Sequence, residues 1–124
     1  PFIQPNIQTG SPAGSATQLA EGFNKALSEQ FDPQKSVADY AALFHVSPNH
    51  LNKCVRRVFG KTCSECIAEQ RLMEAKMLLR QTTASLGSIA EQLGFADLTH
   101  FGRFFRQKTG HNPSDFRKVI DFAE

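Results

Sequence analysis

Residues 96–110 read ADLTHFGRFFRQKTG. Three phenylalanines, two arginines and a lysine share that stretch, with Gly102 among them. A helix turning about 100° per residue separates the two chemistries. Phe101, Phe104 and Phe105 fall on one side, and Thr99, Arg103 and Arg106 on the other. The Phe side anchors the segment to a core, so the Arg side faces outward. Whether it faces only water or an anionic partner depends on the rest of the chain.

Working outward, Asp97 is placed to cap this helix and Gly110 to end it. Just upstream, LGSIAEQL (86–93) reads as a short helix, and Gly94 turns the chain into the quoted segment. Downstream, Asn112 caps a last helix that starts at Pro113 and runs to about 122. The same plan occurs earlier. Ser36, with Asp39 three residues on, opens a helix carrying Val37, Tyr40, Ala41 and Phe44 on one face. Ser47 and Pro48 start the next, with Leu51, Val55, Val58 and Phe59 at helical spacing and Gly60 at its end. Thr62 and Glu65 form a capping box for a long helix over about 63–80, striped by Ala68, Leu72, Ala75 and Leu79. Another helix, from Thr17, carries Leu19, Phe23, Ala26 and Leu27 and stops at Asp32-Pro33. No strand-like alternation is present. The expected class is all-α, with about seven helices.

The two halves repeat. VADYAALFHVS (37–47) lies over LGSIAEQLGFA (86–96), which pairs Ala41 with Ala90 and Val46 with Phe95. After a one-residue shift, LNKCVRRVFGKTCSEC (51–66) lies over FGRFFRQKTGHNPSDF (101–116). Lys53 then meets Arg103, Arg56 meets Arg106, Gly60 meets Gly110 and Cys66 meets Phe116. Each copy is a short helix, a tight turn and a second helix that is apolar on one side and cationic on the other. That is helix-turn-helix logic, in which the second helix enters a DNA major groove. The expected units are a first helix-turn-helix over about 36–60 and a second over about 86–110. Residues 1–16, PFIQPNIQTGSPAGSA, are rich in Pro, Gly, Ser and Gln and read as a linker or extended arm. Residues 17–124 form the candidate DNA-binding domain.

The motifs resemble the DNA-binding domain of the AraC/XylS family of bacterial transcription regulators. The similarity covers about residues 17–121. Its most specific part is IAEQLGFADLTHFGRFFRQKTGHNPSDFRK, residues 89–118. The resemblance implies two helix-turn-helix subdomains joined by a linker helix, with the two reading helices in successive major grooves on one DNA face. It also implies RNA polymerase as a partner in activation, and a separate effector-binding or dimerisation domain. The chain opens with Pro1 rather than Met, so the expectation is a piece of a longer protein with that domain on the N-terminal side. The first repeat departs from the family pattern: Cys63 stands where Pro is frequent, and Cys66 where an aromatic is frequent.

By position in the motif, Asn49, Asn52 and Lys53 on the first reading helix are expected to contact bases. On the second, the resemblance implies Leu98, Thr99, Gly102 and Arg103 as the base-contacting set, since they match the family's groove-facing positions. The chemistry suits these roles: Asn matches the adenine edge, Lys and Arg match guanine, and an apolar group packs on the thymine methyl. Gly102 lets either DNA or another helix come close, and the sequence leaves both open. Phosphate contacts are expected from Arg56, Arg57, His50, His100 and Arg106, and from the helix starts at Ser36, Ser85 and Asn112.

Bulk composition bounds the alternatives. The 124 residues are 40% hydrophobic and 21% charged, an ordinary globular mixture with eleven Phe and no Trp. The formal net charge is only +2, so the clustering of cations matters more than their sum. No apolar run approaches the ~20 residues that span a membrane, and no signal-peptide pattern occurs, so a cytoplasmic protein is expected. CSEC (63–66) has metal-type spacing, but no second ligand pair accompanies it, so neither metal nor cofactor is expected. No phosphate loop, nucleophile elbow or paired acid site points to an enzyme. The rival readings are an RNA-binding or a protein-binding helical module.

Overall fold

A computed structural model describes the backbone of residues 12–123 and the side chains of 15–119. Seven helices and no strand occur among the described residues: α1 (Pro12–Glu29), α2 (Val37–Leu43), α3 (Pro48–Phe59), α4 (Cys63–Gln81), α5 (Leu86–Gln92), α6 (Leu98–Thr109) and α7 (Pro113–Ala123). The sequence places α1 five residues too late, at Thr17. PAGSA lacks apolar periodicity, yet Pro12 begins the helix and Ala16 is buried. The expected arm over 1–16 therefore overlaps α1 from Pro12 onward, and residues 1–11 lie outside the described ones.

The chain divides into two compact units, one up to Ala68 and the other from Glu69, with the boundary inside α4. In the first unit, Ala20, Phe23 and Leu27 of α1 pack with Tyr40 and Ala41 of α2, Leu51 and Val55 of α3, and Cys63 and Ile67 of α4. Phe23 and Tyr40 meet edge to face, ring centres 5.3 Å apart. Gly22 makes room on α1, because a Cβ there would lie 3.0 Å from the Phe44 ring.

In the second unit, Ile89, Ala90, Leu93, Phe101 and Phe105 are buried. Phe95 plugs the turn against Phe101 and Phe104, with centroids 5.4 and 5.1 Å away. Phe105 meets Phe116 of α7 edge to face at 5.1 Å. Arg117 of α7 staples the end of α4 to the following loop: its guanidinium donates to Leu79 O at 3.1 Å, Ala84 O at 2.7 Å and Thr82 O at 3.2 Å. Carbonyls at and beyond a helix end lack partners within the helix, so a side chain that reaches them stabilises the end. Arg117 thus belongs to the framework, unlike the exposed Arg103, Arg106 and Lys108 upstream of it.

Both helix-turn-helix turns use one hydrogen-bond scheme. Val46 N–H donates to Ala41 O at 3.1 Å, and Phe95 N–H donates to Ala90 O at 3.0 Å. The residue before each must turn left-handed. Gly94 does so at φ 84°, while the first unit uses His45 at φ 58°.

Candidate nucleic-acid interface

Local chemistry fixes where each reading helix begins. Ser47 Oγ accepts the His50 N–H at 3.1 Å at the start of α3. Asp97 Oδ1 accepts both the His100 N–H and a hydrogen bond from the His100 ring, each at 2.9 Å. The His100 N–H, followed by its side chain, holds the Asp97 carboxyl below its ordinary range.

On α3, Leu51 and Val55 are fully buried, and the opposite side carries Asn49, Lys53, Arg56 and Arg57, all exposed. Asn49, Asn52, Lys53 and Arg56 line a shallow groove of about 300 Å³. Beside it, a depression of about 640 Å³ lies between the start of α1 and α3, lined by His50, Lys53, Cys54, Arg56 and Arg57 with Ser15 and Ala16. No acid is among these lining residues. The His50 Nε2 lies 3.8 Å from the Cys54 Sγ.

On α6, Phe101 and Phe105 have no exposed surface, while Thr99, Arg103 and Arg106 point away from them into solvent. Leu98 is 45% exposed at the helix start. Gly102 needs no helix against it: an added Cβ would meet nothing within 4 Å. Of the two uses of Gly102 left open by sequence, close helix packing finds no support among the described residues.

The cations divide into two kinds. Arg117 is taken up by carbonyls, and Arg71 stacks over the Phe95 ring at 5.6 Å. Lys53, Arg56, Arg57, Arg103 and Arg106 are exposed and engage no partner among the described residues. The outer faces of α3 and α6 therefore carry cations that the fold leaves available.

Several expected contacts look different in three dimensions. Asn52 is half-buried, and its Oδ1 accepts the Cys63 N–H at 2.9 Å. The oxygen that would take a hydrogen bond from adenine is already turned toward α4. Ser36 caps α2, but Asp39 returns a carboxylate oxygen to the Ser36 N–H at 2.8 Å. That bond, with the Ser36 hydroxyl, holds the Asp39 carboxyl below its ordinary range, and its charge opposes a phosphate there. Asn112 caps α7 through the Asp115 N–H at 2.8 Å, with the Asp115 charge in the same turn. Ser85 caps α5 through the Ser88 N–H at 3.1 Å, and no acid sits in that first turn.

The three cysteines are free thiols, and no cluster of metal-ligating side chains occurs among the described residues. Cys63 is fully buried. Burial first, and Cys66 nearby second, push its thiol up to about 11, which keeps it protonated and poorly nucleophilic at neutral pH.

Two helix-turn-helix units in one chain, each with cations on the outer face of its second helix that have no partner among the described residues, define a double helix-turn-helix domain. Residues 40–119 match the family model described as "Helix-turn-helix domain". The arabinose operon regulatory protein of Escherichia coli (strain K12) is 32% identical over 97 residues, covering 74% of this chain and 33% of that protein. A transcriptional regulator from Chromobacterium violaceum, of the AraC-type DNA-binding domain-containing proteins, superposes with a TM-score of 0.74 at 26% identity, covering 86% of this chain and 96% of that one. The DNA-binding domain of AdpA, solved in complex with a target DNA, shares the fold at a TM-score of 0.67 and 23% identity, over 93% and 97% of the two chains. The chain belongs to the AraC/XylS-type family of helix-turn-helix transcription regulators. It spans between 33% and 46% of the length of the first curated relatives it matches.

Proposed function

We propose that the chain binds double-stranded DNA sequence-specifically, with α3 and α6 each in a major groove and the two grooves successive on one duplex. The observation that carries this reading is the repeat of exposed cations: Lys53 and Arg56 on α3 correspond to Arg103 and Arg106 on α6, each set opposite buried apolar anchors. Asn49, Lys53, Leu98, Thr99 and Arg103 are the base-contacting side chains, and Gly102 lets the α6 backbone approach the duplex. Arg56, Arg57, His50, His100 and Arg106 contact phosphates, as does the α5 start at Ser85. Family membership and the DNA complex of the AdpA domain support the same reading.

The domain is a binding module rather than an enzyme, and it acts in the cytoplasm as part of an activator. RNA polymerase and an effector-binding or dimerisation domain are the partners that family likeness supplies. No helix among the described residues is long and apolar enough to cross a membrane.

The test is a titration of random and selected duplexes over a salt series. Selection from a random library yields an enriched duplex bound at least about 10³-fold more tightly than random sequence, with affinity falling steeply with salt. Preference for single-stranded RNA, or affinity insensitive to salt, would assign the surface to the RNA or the protein class instead.

A further inference from the structure

The two repeats solve one problem in different ways. Their alignment sets Asn52 opposite Gly102 and Cys63 opposite Pro113. Cys63 is the first residue of α4 and has no exposed surface. Its N–H belongs to the first turn, where no helical carbonyl can accept it. The capping box does not serve it either. Thr62 Oγ1 takes the Glu65 N–H at 3.0 Å, and Glu65 Oε1 takes the Thr62 N–H at 2.8 Å. A buried N–H with no acceptor is costly, so a side chain must supply one. Asn52 reaches across from α3 and does so at 2.9 Å. Because a backbone N–H only donates, the amide atom facing it is the oxygen.

In the second unit, the first residue of α7 is Pro113, also buried. Proline has no N–H, so nothing there needs an acceptor. The residue matching Asn52 is Gly102, where an added Cβ would meet nothing within 4 Å. The cap residue does the same work in both units: Asn112 Oδ1 takes the Asp115 N–H at 2.8 Å, as Thr62 takes that of Glu65.

We infer that Asn52 is a positioning residue. It locks the reading helix α3 to the first turn of α4, and the pairs Asn52–Cys63 and Gly102–Pro113 are interchangeable answers to one buried first-turn position. Asn52 holds the outer face of α3 in register instead of reading a base. The DNA arm of the test rests on α3 being a reading helix; the exchange arm does not.

Four chains test this: the parent, Asn52→Ala, Cys63→Pro and the double variant. Amide hydrogen exchange reads the Cys63 N–H in the two chains that have one. Its protection falls at least about tenfold in Asn52→Ala. Affinity for the duplex selected with the parent falls about tenfold in Asn52→Ala and returns to within about threefold of the parent in the double variant, because proline removes the donor that needed Asn52. Unchanged Cys63 protection in Asn52→Ala overturns the lock. A double variant as weak as Asn52→Ala, with Cys63→Pro binding like the parent, overturns it in favour of base reading. Should Cys63→Pro fail to melt cooperatively, Asn52→Asp decides instead, since it keeps the accepting oxygen and loses the amide donor. Retained Cys63 protection there supports the lock, and lost protection overturns it. A parent that binds no duplex refutes the DNA reading, while the exchange measurement still decides the lock.

Discussion

Arg103 and Arg117 are the same residue type fourteen positions apart, and their surroundings give them opposite work. Arg117 commits its guanidinium to the carbonyls of Leu79, Ala84 and Thr82. Arg103 stands on a helix whose other side is clamped by Phe101 and Phe105, and its donors are left over. A cation on a rigid base suits the two acceptors of guanine. Arg103→Ala is expected to cost about 1–3 kcal/mol on the selected duplex and to relax preference at one guanine position. Arg57→Ala is expected to weaken all duplexes alike and to lower the slope of log affinity against log salt by about one. Anisotropy titrations on single-base variants of the site, each over a salt series, separate the two. Gly102 makes a different prediction. Its missing side chain faces open space, so Gly102→Ala should raise stability by about 0.5–1 kcal/mol, the usual gain of Ala over Gly within a helix. The same substitution should weaken the selected duplex about tenfold, because the new methyl holds DNA away from the backbone. A variant that gains stability and keeps full affinity would remove Gly102 from the interface.

At the scale of the element, each helix-turn-helix turn needs one left-handed residue. Glycine accepts that conformation freely, whereas it costs a residue with a Cβ about 1–2 kcal/mol. His45 bears that strain at φ 58°, and Gly94 does not. His45→Gly is therefore expected to stabilise the chain, by up to about 1 kcal/mol once the greater freedom of unfolded glycine is subtracted. Gly94→Ala is expected to destabilise it by up to about 1 kcal/mol, the left-handed strain less the smaller freedom of the unfolded alanine chain. Thermal and denaturant melts check both, and a loss of stability in His45→Gly would mean that the imidazole makes a contact worth more than the strain. Two helix caps contribute a pH dependence. Asp39 and Asp97 are held below their ordinary value of 3.8 by hydrogen bonds from Ser36 and His100. A lowered carboxyl contributes its full share above the unfolded value and loses it as pH falls through the folded one. Melting temperature should thus be insensitive to these caps near neutrality and decline below about pH 4. Asp39→Asn with Asp97→Asn should flatten that acid limb, and an unaltered limb would place the titration elsewhere.

For the whole molecule, a net charge of +2 predicts little by itself. What matters is that exposed cations recur on the second helix of both units. With both readers on one duplex, the half-sites lie about 10–10.5 base pairs apart. Inserting about half a helical turn between them puts them on opposite faces of the DNA. Specific binding by the single chain is then expected to fall to that of one half-site, and inserting a whole turn should not act in the same way as half a turn. Affinity indifferent to the half-turn insertion, measured by gel shift, would mean that one unit carries the recognition alone.

The sequence by itself determined the elements whose causes are local. Ser36, Ser47, Thr62, Ser85, Asp97 and Asn112 announce helix starts because a short polar side chain reaches only a few residues along its own backbone. The spacing of Phe101 and Phe105 announces the buried face of α6 for the same reason, since helical periodicity is a property of neighbours. The internal repeat extended that local reading to the paired architecture. Tertiary structure decided what depends on a partner distant in the chain. Ala16 shows no periodicity in PAGSA, yet it is buried and α1 begins before it, at Pro12. Arg117 reads as one more cation until the end of α4 is placed beside it. Asn52 reads as a base contact until the Cys63 N–H, eleven residues on, takes its oxygen. The hint in the sequence was the matched change of Asn52 to Gly102 and Cys63 to Pro113, but its meaning is a buried donor, and burial exists only once the chain has folded.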